Sequence, residues 1–241
     1  MGGFFSTSIT ETFLGLRDLF FPRRCVVCGK TLDGEEQDLC TDCLEELPLT
    51  YQWDIVQNAA FERLARRFEV EAAASLFFFG SESDYRKIIY GIKYGGRRAL
   101  ACRMGYLLGS YLAGSREFRR CQAVVPVPLH PLRCWKRGYN QAEAIAQGVA
   151  EALTLPLETH LLHRSRNTKT QTRLRDEAKT KNVQDAFRPD PGRVDNLQQQ
   201  GIRYLLLIDD VLTTGSTLAA CADPLTAAGF RLSCATLAFA G

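Results

Sequence analysis

Residues 205–218 read LLLIDDVLTTGSTL: an apolar run, two adjacent carboxylates, then a hydroxyl-rich turn that opens a second apolar stretch. The spacing predicts a buried strand over Arg203–Ile208 and a helix over Ser216–Ala228 closed by Gly229. Ligands of open α/β sheets bind beyond the carboxyl ends of the strands. A helix start there offers unpaired backbone N–H groups and the positive end of the helix dipole. Thr213, Thr214, Gly215, Ser216 and Thr217 supply hydroxyls and one close-approach glycine, the makings of a phosphate cradle. Asp209 and Asp210 can accept hydrogen bonds from vicinal hydroxyls and help to hold Mg²⁺ through oxygen. A phosphate beside a diol-binding acid pair describes a ribose 5-phosphate. An Asp-Asp turn before a Thr/Ser-capped helix needs no ligand, but two neighbouring carboxylates repel unless something cationic or diol-like sits between them.

A second constellation is Cys25-x2-Cys28, eleven residues, then Cys40-x2-Cys43. Two such knuckles aim four thiolates at one tetrahedral centre, and four protein ligands leave no open position, so a structural zinc is expected. The segment is too polar to have a core without metal. Cys102, Cys121, Cys134, Cys221 and Cys234 are scattered and read as small buried hydrophobes. This cysteine usage favours a reducing cytoplasm over disulfides.

Charge divides the chain. Residues 25–50 carry seven acids against Lys30, a balance of −6, whereas the whole chain is +3, which leaves +9 elsewhere. Much of that excess lies in Arg86–Arg103 and in the long polar stretch from Arg164 to Asn182. A basic body implies an anionic partner, either a small phosphate ligand or a nucleic-acid backbone. The acidic cysteine module should repel a phosphate backbone, so single-stranded DNA, if bound, would meet the basic body, with Tyr90, Tyr94 and Tyr139 as stacking groups.

The elements that must position these residues alternate in the α/β manner. Helices are expected over Asn58–Phe68, around Ile88–Ile92 up to Gly95–Gly96, over Leu100–Leu112 and over Asn140–Leu153. Strands are expected at Ala72–Phe79, Ala123–Val127 and Leu232–Phe239. Phe13, Leu16, Leu19 and Phe20 recur at helical spacing, so residues 1–22 read as an amphipathic helix. No apolar run approaches the roughly 18 residues needed to cross a bilayer. Composition, at 46% hydrophobic and 24% charged, excludes disorder and coiled coil.

The 205–218 segment resembles the phosphoribosyl-pyrophosphate signature of type I phosphoribosyltransferases. With VPVPLHPLRCWKRGYNQAEAIA (Val125–Ala146), the Arg164…Gln171…Leu174…Asn182…Phe187 series and the cysteine pairs, the chain resembles the ComF/GntX family of competence-associated, phosphoribosyltransferase-like proteins. The resemblance implies a zinc-ribbon-like module over 23–50 and a phosphoribosyltransferase-like domain over 51–241, a parallel sheet flanked by helices. Within that domain it implies hood elements over 72–115 and a mobile loop over 164–182. It further implies a phosphoribosyl-pyrophosphate-binding protein of transferase type, magnesium-dependent and linked to DNA uptake. Asp209 and Asp210 would be its catalytic pair, taking the ribose hydroxyls and through them magnesium, and Thr213–Thr217 would take the 5-phosphate. The turn carrying Arg133, Lys136, Arg137 and Gly138 would face the pyrophosphate, and Arg164, Lys169 and Arg173 of the mobile loop would close over it. The alternative is a single-stranded DNA-binding competence factor in which the sugar-phosphate site is regulatory.

Overall fold

In a computed structural model of the chain, the described residues are 22–80, 82–164 and 186–241. Residues 1–21 of the expected amphipathic helix lie outside them, as do Lys169, Arg173 and the rest of the 164–182 segment beyond Arg164. The chain divides into two compact units between Leu47 and Pro48.

The first unit is built from tight turns. Its only helix among the described residues is α1, Thr41–Glu45. Among its described residues the buried apolar set is small: Cys25, Val27, Leu32, Leu39, Cys40, Cys43 and Leu47. So few side chains cannot offset the entropy of ordering the segment.

The second unit is an α/β body. In chain order its elements are α2 (Ala59–Ala65), β1 (Ala73–Phe78), α3 (Arg86–Tyr94), α4 (Arg98–Gly114), β2 (Ala123–Pro126), α5 (Pro131–Arg137) and α6 (Gln141–Leu153). A short antiparallel pair follows, β3 (Leu162–Arg164) with β4 (Phe187–Pro189), and then α7 (Pro191–Gln199), β5 (Tyr204–Leu212), α8 (Ser216–Ala227) and β6 (Arg231–Phe239). Four strands form a sheet in the order β1-β6-β5-β2, and every pairing is parallel. This is the expected parallel sheet flanked by helices.

Sequence explains the layering. Leu205–Ile208 of β5 are all 0% exposed, as a parallel strand covered on both faces requires. Leu205 and Leu207 share one core cluster with Leu218, Cys221 and Leu225 of α8, and α6 packs on β2 and β5. A Cβ at Gly148 of α6 would run into the Cys102 carbonyl of α4, so these two helices meet backbone to backbone.

Three local outcomes differ from the sequence reading. β5 does not stop at Ile208 but continues through both acids to Leu212, because β6 goes on pairing with it at Asp209↔Thr236, Val211↔Ala238 and Leu212↔Phe239. The turn expected to carry Arg133, Lys136 and Arg137 is mostly helix α5. Pro131 begins it, the His130 side chain accepts a hydrogen bond from Leu132 N–H at 3.2 Å, and Gly138 ends it at φ +81°. Helix α7 lies where the sequence offers only the Gln198–Gln200 tract; its signal was Asp190 before Pro191, a side-chain cap on Arg193 N–H at 2.9 Å.

Candidate functional site

In the body, the acid pair stands where β2 has ended. The last β2 pairing is Pro126↔Ile208, so the edge of β5 from Asp209 onward is paired only on its β6 side. Successive strand residues face opposite ways, and the two acids accordingly find different neighbours. Lys93, at the end of α3, places its Nζ 3.0 Å from Asp210 Oδ1, with both side chains largely buried. Asp209 accepts the Asp210 backbone N–H on Oδ1 at 2.8 Å. Burial, and then the Asp210 charge, push the Asp209 carboxyl up to about 7, against the opposing pull of that N–H, Lys93 and Arg164. Arg164 lies over the Phe187 ring at 5.1 Å. Burial and the nearby Arg133 bring its pKa down, while Cys221 and Asp209 act in the other direction.

The hydroxyl turn follows at once. Gly215, at φ +76°, is the residue before α8, and Thr213, Thr214 and Ser216 are exposed around it. Thr214 Oγ1 and Ser216 Oγ are 3.0 Å apart, and Ala219 N–H closes the first helical bond on Gly215 O at 2.9 Å. The α8 N–H groups before Ala219 therefore start a helix whose first turn is ringed with hydroxyls. Helix α2 supports the turn from below. Arg63 donates to Thr213 O at 2.8 Å and also to Ala240 O. A Cβ at Gly215 would stand 2.7 Å from Leu64 Cδ2, so the buried leucine and the left-handed φ both select glycine there.

The residues expected on the pyrophosphate side, Arg137 among them, are tied to the end of α3. Arg137 donates to Gln141 Oε1 at 2.9 Å and stacks 5.5 Å from the Tyr94 ring centroid. Tyr139 OH donates to Ile92 O at 2.6 Å. The end of α3 is thus tied to the Arg137–Tyr139 segment by one neighbour of Lys93 and by the other. Sequence reasoning grouped Lys93 with the basic run facing an outside anion and gave Arg63 no role. For Lys93 the legible signal was a cation beside the apolar stripe Ile88, Ile89 and Ile92; nothing local pointed to Arg63.

In the cysteine unit, the Sγ atoms of Cys25, Cys28, Cys40 and Cys43 all lie within 4.8 Å of one another, the one cluster of three or more such ligands among the described residues. Cys28 Sγ and Cys40 Sγ are 3.7 Å apart. Zn–S bonds of about 2.3 Å in a tetrahedron put sulfurs about 3.8 Å apart, so the donor set fits zinc. Burial disfavours the Cys25 thiolate, yet the backbone N–H groups of Cys28, Cys40 and Val27 outweigh it and bring the thiol down to about 6. Burial instead holds Cys43 far above its ordinary value. Gly29 N–H on Cys25 O at 2.9 Å and Leu44 N–H on Cys40 O at 3.0 Å close the two knuckles.

No helix among the described residues is long and apolar enough to cross a membrane. The architecture is that of an α/β body on a parallel sheet, joined to a four-cysteine ribbon. A family described as the double zinc ribbon domain matches residues 16–53. Competence protein F of Haemophilus influenzae is 34% identical over 121 residues, half of this chain and 51% of that one. The DNA utilization protein YhgH of Salmonella typhimurium is 32% identical over 152 residues, 60% of this chain and 64% of that one. Its Escherichia coli K12 counterpart is 32% identical over 141 residues, 57% and 59% of the two chains. The matches thus span between half and two thirds of the relatives' own length. Among solved structures, a glutamine phosphoribosylpyrophosphate amidotransferase from B. subtilis, complexed with ADP and GMP, aligns at a TM-score of 0.39. Identity there is 18%, over 60% of this chain and 30% of that one. The resemblance drawn from the sequence therefore has its counterpart in homologues named for competence and for DNA utilization.

Proposed function

We propose that the body binds phosphoribosyl pyrophosphate and transfers its phosphoribosyl group to an acceptor nucleophile, whose bond to ribose C1 replaces the C1–O bond to the departing pyrophosphate, in a cytoplasmic protein that serves the uptake or use of DNA. One observation carries this reading: two adjacent carboxylates on the free edge of a parallel strand, followed three residues on by a hydroxyl turn that opens helix α8. Asp209 and Asp210 accept from the ribose hydroxyls, and Thr213–Thr217 hold the 5-phosphate. Arg137 and Gly138 face the pyrophosphate, with Arg164, Lys169 and Arg173 closing from the 164–182 segment and the 72–115 elements forming the hood. Magnesium bound with the diphosphate would make it a better leaving group. The protein's part is to orient C1, stabilise positive charge on the sugar as the C1–O bond opens, and keep water out. In this reading the link to DNA rests on the relatives' names.

The test is calorimetric titration of the full-length protein with phosphoribosyl pyrophosphate and Mg²⁺, alongside Asp209→Asn and Asp210→Asn. Losing one charged acceptor to a sugar hydroxyl should weaken binding by roughly tenfold or more. Unchanged affinity in both variants, or none in the wild type, rejects the reading.

A second reading is favoured by a specific surface. Trp135 is 87% exposed and Tyr94 is 73% exposed, and Arg137 stacks on the latter. Exposed rings among arginines suit the bases and phosphates of single-stranded DNA. Trp135→Ala should then weaken binding of a short oligonucleotide by about 1–3 kcal/mol, with affinity falling steeply as salt rises; equal affinity in the variant removes this surface from consideration.

A further inference from the structure

The acid pair carries its own cation. Helix α3 is fixed by Ile88, Ile89 and Ile92, none more than 1% exposed. Its last carbonyls lack intrahelical partners, and one of them, Ile92 O, is held by Tyr139 OH at 2.6 Å. The next residue is therefore delivered from a rigid helix end, and its ammonium meets Asp210 Oδ1 at 3.0 Å in a site where the two side chains are 21% and 15% exposed. Arg164 adds positive potential on the Asp209 side. A bare divalent ion on Asp210 would have to sit beside this ammonium, which already neutralises the carboxylate and repels a second cation. A neutral diol meets no such penalty: its O–H groups need acceptor lone pairs, and a carboxylate bonded once by lysine keeps several.

We propose that Lys93 is the resident countercharge of the acid pair, so that Asp210 grips a sugar diol directly and excludes a free divalent cation from the pair. A metal ion would then enter only as a complex with the ligand's own phosphates. This deepens the sugar-phosphate reading and rests on it for what Asp210 holds. Lys93 acts here as a positioning and selectivity residue.

The probe is Mn²⁺ alone, with no sugar present, added to the zinc-loaded full-length protein and followed by the electron paramagnetic resonance signal of free Mn²⁺. Wild type should leave the ion free at millimolar concentration. Lys93→Met should take up one Mn²⁺ about tenfold or more tightly, and adding Asp210→Asn should abolish that gain. Lys93→Gln, which keeps most of the length and loses the charge, should behave like Lys93→Met and serves if the methionine variant does not fold. Lys93→Arg should behave like wild type. The proposal is overturned if wild type already binds Mn²⁺ in a manner that Asp210→Asn removes, or if the folded, uncharged variants bind no more than wild type. The sugar titration fails or succeeds separately: a wild type that ignores the sugar, yet gains Mn²⁺ on loss of Lys93, refutes the functional reading alone.

Discussion

The cysteine unit and the acid pair both crowd negative charge, and they neutralise it by opposite means. Four thiolates converge in the first unit, where Lys30 lies within electrostatic reach of Cys40 but gives its hydrogen bond to another group. Lys30 bonds Asp42 at 3.3 Å, Arg24 bonds the Gly29 carbonyl, and Arg23 bonds the carbonyls of Glu36 and Gly34. That unit must take its countercharge from outside, as a metal. In the body the cations are built in, Lys93 on Asp210 and Arg164 within electrostatic reach of Asp209. One centre therefore makes folding conditional on an ion, and the other is folded in advance and left with spare acceptors for a ligand. The difference follows from the two cores: seven buried apolar residues among those described in one, and in the other a parallel sheet with helices packed against it.

Stripping the metal breaks this comparison most severely. Structural zinc contributes on the order of 10–16 kcal/mol to modules of this kind. A strong chelator, or Cys40→Ala, should therefore unfold residues 23–47 while the body stays cooperative. The expected readings are one zinc per chain by elemental analysis, lost in the variant, and protease cleavage confined to the first unit. Cleavage spreading at the same rate through Pro48–Gly241, or a first unit that resists protease without metal, would show that the two do not differ as described.

The two sites were also unequally legible in the sequence, for the same reason. All four cysteines lie within nineteen residues, so spacing alone brings the ligands together, and the Sγ distances agree with it. The run from Leu205 to Leu218 was legible to the same extent: strand, acids, hydroxyl turn and helix all follow from local pattern. Lys93 and Arg63 reach this run from helices far back in the chain, and no local periodicity records which cation will meet which carboxylate. The strand runs past its sequence-predicted end because pairing with β6, a long-range matter, overrides the low strand preference of two aspartates. Helix α5 hides in a stretch whose prolines suggest a turn, although Pro131 can start a helix and Gly138 stop it.

A finer test bears on how complete the built-in compensation is. Asp209 still carries a raised carboxyl pKa, about 7, because burial and Asp210 outweigh the cations. In the unfolded chain it titrates near 3.8. Between those values the folded protein binds the extra proton, so the stabilisation this group gives is fully present below about pH 4 and is lost as pH rises through about 7. Asp209→Asn keeps an acceptor for the Asp210 N–H and removes the titration. Its melting temperature should match wild type near pH 4 and exceed it by roughly 10 °C above pH 7, the gap between 3.8 and about 7 being worth about 4 kcal/mol and each kcal/mol about 2–4 °C for a chain of this size. Acid also loosens a thiolate-bound metal, but that loss is common to both proteins and cancels in their difference. A gap that stays constant from pH 4 to pH 8 would mean that Lys93 and Arg164 already hold Asp209 ionised in the folded state. The acid pair would then be fully compensated, and a metal-free diol site would be favoured more strongly still.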